Sequence, residues 1–288
     1  MITIKQLTNT SFQEIHESFA KAFGDYEEPF DMTIQQLQYM IERRGFKPEL
    51  SFGAYENDEL VGFTLNGIGL WNNQLTAYDT GTGIVKAYRK QGIATRIFDE
   101  SLPVLKQHGV NQYLLEVIKT NTKAYDLYKK AGFEVLREFD YFVSPIELIN
   151  TNPVELITGI SIKELDQPLW DLFSTFRNFE PSWQNTSDSI QRKQSSFKIL
   201  GVFNEENLVG YGIIEPHTGD IAQFAIAKNF RRKALGTALF KSFSEYSKSG
   251  ILKIINTDFN DIGTRSFLES LGFKAGFGQY EMLLKFYP

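Results

Sequence analysis

Ile84-Val-Lys-Ala-Tyr-Arg-Lys-Gln-Gly-Ile-Ala-Thr-Arg96 is the stretch on which the fold of this chain turns. An apolar strand end, Thr82 to Val85, runs into a basic turn and the step Arg89-x-x-Gly92-x-Ala94. A helical register follows, with Ile93, Ile97 and Phe98 on one face. Small residues at 92 and 94 let a ligand come close to the backbone. The free N–H groups of a first helical turn, backed by the helix dipole, then favour a diphosphate. Lys86, Arg89, Lys90 and Arg96 add positive charge before the first acid, Asp99. A tight strand-to-helix connection with a solvated basic rim has the same local pattern, so the turn alone does not separate the two readings.

Further on the chain reads Leu115-Glu116-Val117, then Asn121-x-x-Ala124-x-x-Leu127-Tyr128-x-x-x-Gly132-Phe133. Joined to Arg89-x-x-Gly92-x-Ala94 across a helix and a strand, this pattern resembles the GNAT superfamily of N-acetyltransferases, which transfer the acetyl group of acetyl-CoA to an amine. The resemblance implies an α/β (α+β) fold, a mixed and mostly antiparallel sheet flanked by helices. By the same resemblance, the backbone of Ile84 and Val85 pairs with the pantetheine arm as an added strand. Arg89, Lys90, Gln91, Gly92, Ile93, Ala94 and Thr95 form the cofactor turn, with the amides from Gln91 to Thr95 on the pyrophosphate. Asn121, Ala124 and Tyr128 line the far side. Two positions depart from the commoner family pattern: Lys86 stands where many relatives have proline, and Ala94 where glycine is commoner.

Composition sets the outer bounds. At 288 residues the chain is comfortable for two domains, and 42% apolar with 14% aromatic content is enough to bury cores. A net charge of −5 gives no general affinity for nucleic acid or anionic membrane, so an anion must be held locally. The absence of cysteine removes disulfides, thiol nucleophiles and Cys-ligated zinc. His16, His108 and His217 are scattered and fit no nucleophile or metal pattern, so no metal is expected. Met1-Ile-Thr-Ile-Lys-Gln alternates like a strand and does not resemble a signal peptide, and no apolar run approaches spanning length. The expectation is a cytoplasmic protein, monomer or homodimer.

Taken in order, the pattern predicts a strand over 1–8, a helix through Phe12, Ile15, Phe19 and Phe23, and a second helix through Ile34, Leu37 and Ile41. The loop Gly24–Phe30 between them suits either an acceptor-binding segment or a plain connection. A hairpin over 51–66 and a strand over 74–85 lead into the basic turn, and Pro103 is expected to kink or shorten the helix after it. A strand over 113–118, a helix over 122–130 ended by Gly132 and an extended run over 133–143 complete the unit.

The same order recurs. Leu200-Gly-Val-Phe-Asn-Glu-Glu-Asn-Leu-Val-Gly210 echoes Phe52 to Gly62, Ile226 to Gly236 echoes Ile84 to Ala94, and Leu271-Gly272-Phe273 echoes Ala131-Gly132-Phe133. Two tandem GNAT-like domains follow, 1–150 and 151–288, joined at the polar Asn150-Thr-Asn-Pro153. The copies differ chemically: Glu116 falls on Asn256, Asn121 on Asp261, Tyr128 on Leu268 and Gly92 on Ala234. The second copy is therefore read as a non-catalytic partner, and Trp183 either offers a flat apolar face to a ligand or is pinned to its own domain.

Acyl transfer needs a neutral amine, a polarised thioester carbonyl and a proton for the departing thiolate. Tyr128, with a reference pKa of about 10, is protonated at neutral pH, and the resemblance assigns that donor role to it. Glu116 matches a strand glutamate that some relatives use as base, and Asp79 is a second carboxylate on the neighbouring strand. The acceptor is a small-molecule or peptide amine. Two other functions fit the architecture. One is a transferase using aminoacyl-tRNA, opposed by the intact coenzyme A turn and the acidic charge. The other is a non-enzymatic acyl-CoA sensor, opposed by the retention of Tyr128 and Glu116.

Overall fold

A computed structural model describes residues 1–24, 32–151 and 158–286. The first copy runs β1 (Thr3–Gln6), α1 (Phe12–Phe23), α2 (Ile34–Arg43), β2 (Phe52–Glu56), β3 (Glu59–Trp71), β4 (Gln74–Ile84), α3 (Ile93–Gln107), β5 (Gln112–Ile118), α4 (Thr122–Lys130) and β6 (Glu134–Pro145). The second runs β7 (Ile160–Glu164), α5 (Trp170–Phe176), α6 (Ser187–Gln191), β8 (Lys198–Asn204), β9 (Asn207–Glu215), β10 (Asp220–Ile226), α7 (Leu235–Tyr246), β11 (Ile251–Asp258), α8 (Ile262–Ser270), β12 (Lys274–Ala275) and β13 (Gln279–Lys285). The mixed α/β architecture and its repeat are as the sequence implies. The Gly24–Phe30 segment, from residue 25 on, and Asn152 and Pro153 of the junction lie outside the described residues.

By where its contacts cluster, the chain forms two compact units, one of residues 1–116, 126–134 and 282–288, the other of 117–125 and 135–281. Residues 135–145 fall in the second because β6 pairs antiparallel with β11, Phe139 facing Asp258 and Pro145 facing Ile251. A cut at residue 150 ignores that pairing, which links residues more than a hundred positions apart.

In the first unit β1, β2, β3 and β4 pair antiparallel in that order, and β5 joins β4 in parallel. Alternation sends Phe52 and Ala54 to one face, against Ile93 and Ile97 of α3, and Tyr55 to the other, against α1 and α2. With helices on both faces, β3 is buried continuously from Leu60 to Gly67. Capping boxes start α1 (Ser11 with Glu14) and α2 (Thr33 with Gln36). Asn57 and Asp58 carry the positive φ of a tight hairpin turn. Helix α3 runs past Pro103 to Gln107, so the proline does not end it.

The second unit repeats the plan: β7, β8, β9 and β10 pair antiparallel and β11 joins β10 in parallel. The repeat extends to irregularities. One residue, Thr80, is extruded where β4 passes from Asp79 to Gly81 against Leu65 and Asn66. Ala222 is extruded in the same way between Ile221 and Gln223 against Ile213 and Ile214. This register makes Asp79 the counterpart of Ile221.

Candidate active site

Strands β4 and β5 pair only from Thr76–Gln112 to Tyr78–Leu114 among the described residues, after which they part. Beyond Tyr78, β4 continues to Ile84 against β3 alone among the described residues. The edge of β4 from Asp79 onward is therefore placed to accept an extended arm. Val85 donates to the Val61 carbonyl at 2.9 Å, and a single turn, Lys86–Tyr88, brings the chain to Arg89.

Arg89 does not point at an anion with all its donors. Its Nε binds the Ile84 carbonyl at 3.0 Å and Nη2 the Ala22 carbonyl at 2.7 Å. Arg231 repeats this on the Ile226 and Phe176 carbonyls, both at 2.8 Å. Position 89 thus braces the turn in both copies. Lys90 and Gly92 have φ of 63° and 73°, and Gly92 is the left-handed cap of α3. The first helical bond runs from Arg96 N–H to the Gly92 carbonyl, leaving the amides of Ile93, Ala94 and Thr95 ahead of it. A Cβ built on Gly92 would meet no atom within 4 Å. Open space, amides at a helix start and an unpaired strand edge fit a pyrophosphate with an extended arm, which is the shape of acetyl-CoA.

The proton-bearing groups stand where the strands separate. Asp79 is the first residue of β4 past the β5 pairing, and Glu116 is two past Leu114 on β5. Tyr128, half-buried on α4, donates from its hydroxyl to Asp79 Oδ2 at 3.0 Å. Asp79 also accepts from Thr82 Oγ1 at 2.8 Å and from the Gly81 N–H at 2.9 Å. Burial pushes the Asp79 carboxyl above its ordinary value, against those three donors and the Arg44 charge. The Tyr128 ring packs edge-on against Phe133 at 5.6 Å, which in turn meets Tyr113 and Phe98. Tyr78, fully buried, donates to Glu116; desolvation first and the Glu116 charge second hold its proton well above the ordinary tyrosine range. Tyr113 hydrogen-bonds Asn66 Oδ1.

The structure therefore brings Tyr128 together with Asp79, and Glu116 together with Tyr78. Asn121 and Ala124 lie in the 117–125 segment of the second unit, where Asn121 Oδ1 accepts from the Ala124 N–H at 3.2 Å as the cap of α4. Sequence reading missed Arg44, whose Nη1 donates to the Thr80 carbonyl at 3.1 Å, because an arginine just after a helix reads as an ordinary C-terminal charge.

Each counterpart in the second unit has another role. Leu268 and Ile221 are fully buried core residues. Asn256 donates to Ser182 Oγ at 3.0 Å, and Asp261 caps α8. Trp183 is 2% exposed and pinned to its own unit. A cavity of about 790 Å³ nevertheless opens between β10, β11 and the start of α7. There Ala234 holds φ of 61°, as Gly92 does at α3, and the buried Thr257 hydroxyl on the wall has no hydrogen-bond partner. Among the described residues no cluster of three metal-type ligands exists, and no helix is long and apolar enough to cross a membrane.

The Acetyltransferase (GNAT) family model matches twice, at residues 12–133 and 162–273. N-alpha-acetyltransferase 30 of Schizosaccharomyces pombe is 31% identical over 134 residues, 46% of this chain and 84% of that protein. N-alpha-acetyltransferase 50 of Danio rerio is 31% identical over 100 residues, 34% of this chain and 60% of that protein. Among solved structures, a tandem GNAT protein from the clavulanic acid biosynthesis pathway superposes with a TM-score of 0.73 at 10% identity, covering 100% of this chain and 99% of its own. A GCN5-related N-acetyltransferase from Sphaerobacter thermophilus gives 0.71 at 13% identity, covering 100% and 96%. At such identities the structural likeness concerns the fold, whereas the two family matches span most of the chain. This protein is a member of the GNAT family of N-acetyltransferases, enzymes whose acetyl donor is acetyl-CoA.

Proposed function

We propose that this enzyme acetylates a primary amine of a small molecule or peptide by direct attack, with the reaction in the first copy, residues 1–150 in sequence terms. Residues 151–288 are its degenerate partner. The observation that carries this reading is the Tyr128–Asp79 hydrogen bond, made at the residue where β4 leaves β5. Bound acetyl-CoA supplies the activated acetyl group. Around it, the amides of Ile93, Ala94 and Thr95 hold the pyrophosphate, the β4 edge orients the arm, and Tyr128 carries the proton for the departing sulfur. Glu116 is the group to which the incoming ammonium loses its proton.

The test is acetyl transfer from acetyl-CoA to a panel of amines. Peptides with free N-termini come first, given the similarity to N-alpha-acetyltransferases, followed by polyamines and aminoglycosides. Tyr128→Phe should lower kcat by about 10²–10⁴-fold and leave acetyl-CoA affinity nearly unchanged, since a proton donor acts in the transition state. Unchanged turnover in that variant, with chemistry rate-limiting, removes Tyr128 from the mechanism.

A second reading concerns the partner half. The 790 Å³ cavity, the left-handed Ala234 at a helix start and the unpartnered Thr257 hydroxyl favour binding of a CoA-type ligand there. With Leu268 and Ile221 in place of Tyr128 and Asp79, that ligand would be held without being turned over.

A further inference from the structure

Asp79 makes three hydrogen bonds, and only one of them, from Tyr128, reaches outside its own strand. The other two, from Gly81 N–H and the Thr82 hydroxyl, lock the carboxylate in place on β4. Thr82 is itself 3.0 Å from the Thr64 hydroxyl on β3, so the carboxylate is tied into two strands. On the other side Tyr128 sits on α4, a helix with no fully buried residue to anchor it. The phenol meets Asp79 at its tip and Phe133 along its edge.

The internal repeat shows the two partners replaced together. Shared register, down to the extruded Thr80 and Ala222, sets Asp79 against Ile221, and the Gly-Phe alignment sets Tyr128 against Leu268. Both members are replaced by buried aliphatic residues. Where the second copy has no phenol, it also has no carboxylate in that place. The two are lost together, as members of one hydrogen-bonded pair would be.

We propose that Asp79 is the positioning residue of Tyr128: it fixes the phenol hydroxyl at the parting of the strands and keeps it protonated for the departing sulfur. The proposal rests on the N-acetyltransferase reading above. As the amine nitrogen bonds to the acetyl carbon and the C–S bond breaks, the phenol proton turns from Asp79 to the sulfur by rotation about the Cζ–Oη bond. The nitrogen, already freed of its ammonium proton before attack, gives up one more proton to Glu116 and thence to solvent, and the phenolate regains one from solvent. Other groups facing this pair are Arg44 from the end of α2, Tyr113 from β5 and Tyr78 from β4, which itself donates to Glu116. Of these, only Arg44 is a cation, and its charge favours the ionised form of Asp79.

The test uses the full chain, and its first measurement does not depend on the acceptor. Tyr128 ionisation is followed by ultraviolet difference titration, each protein minus its Tyr128→Phe counterpart. Removing a carboxylate from hydrogen-bond distance of a phenol should lower its pKa, so Asp79→Asn should move the Tyr128 ionisation down by about one unit or more. Asp79→Ala should do the same, which covers any packing fault peculiar to asparagine. With an acceptor from the panel, Asp79→Asn should lower kcat about tenfold or more and leave the acetyl-CoA KM within about twofold. It should shift the basic limb of kcat to lower pH, and it should add nothing to the loss in Tyr128→Phe. If the titration and the basic limb stay at their wild-type positions while Tyr128→Phe is slow, Asp79 does not act on Tyr128; the proposal falls and the N-acetyltransferase reading stands. If Tyr128→Phe is as fast as wild type, the reading of Tyr128 as donor fails and the proposal falls with it.

Discussion

Asp79 shows how a single side chain can hold stability and function in opposition. Its carboxyl is raised above its ordinary value mainly by burial, so the folded protein binds this proton more tightly than the unfolded chain does. Between the ordinary value near about 4 and the raised one, the native state carries more protons, and stability falls as pH rises through that window. Asparagine has no charge to desolvate. Asp79→Asn should therefore match wild type in Tm near pH 4 and exceed it at pH 7, by about 2–4 °C for each kcal/mol released. A thermal melt series across that range checks the sign. A Tm deficit at pH 7 would mean that the three hydrogen bonds to the carboxylate outweigh its desolvation.

At the scale of the element, the start of α3 is the feature to test. Gly92 needs its positive φ, yet Ala234 holds φ of 61° at the equivalent place, so the turn can form without glycine at a cost of about 1–2 kcal/mol. Around the missing Cβ of position 92 there is empty space. Gly92→Glu should fold, lose at least about tenfold in acetyl-CoA affinity by filling that space with a like charge, and leave the Tyr128–Asp79 pair untouched. Calorimetry on the variant decides the matter: an unchanged affinity would place the pyrophosphate elsewhere. Arg89 belongs to the same element and also braces it, since the carbonyls of Ile84 and Ala22 take its Nε and Nη2 donors. Arg89→Ala is therefore expected to damage the fold of the turn as well as binding.

For the whole molecule the question is how many ligands one chain takes. Each copy has a left-handed residue capping a helix, an arginine bracing the turn and a parallel strand pair that soon separates. Coenzyme A titrated into the full chain should approach two equivalents, and Gly92→Glu should leave one. A single equivalent lost entirely in Gly92→Glu would show that the second cavity does not take this ligand.

The turn at 84–96, the helix over 122–130 and the doubled order of elements were legible in the residues alone, because periodicity, turn chemistry and repetition are local or copied. The loss of Tyr128 and Glu116 from the second copy was legible for the same reason. What the sequence left open was decided by pairing between distant segments. Asp79 could be named as a carboxylate on a strand, but its bond to Tyr128 exists only because α4 packs over the point where β4 leaves β5. Arg89 reads as one more positive charge on the turn, and only the fold shows that its Nε and Nη2 donors tie the backbone carbonyls of β4 and α1 together. The place of residues 135–145 depends on β11, more than a hundred residues later, and a strand's hydrogen bonds carry no mark in sequence of the partner that will satisfy them.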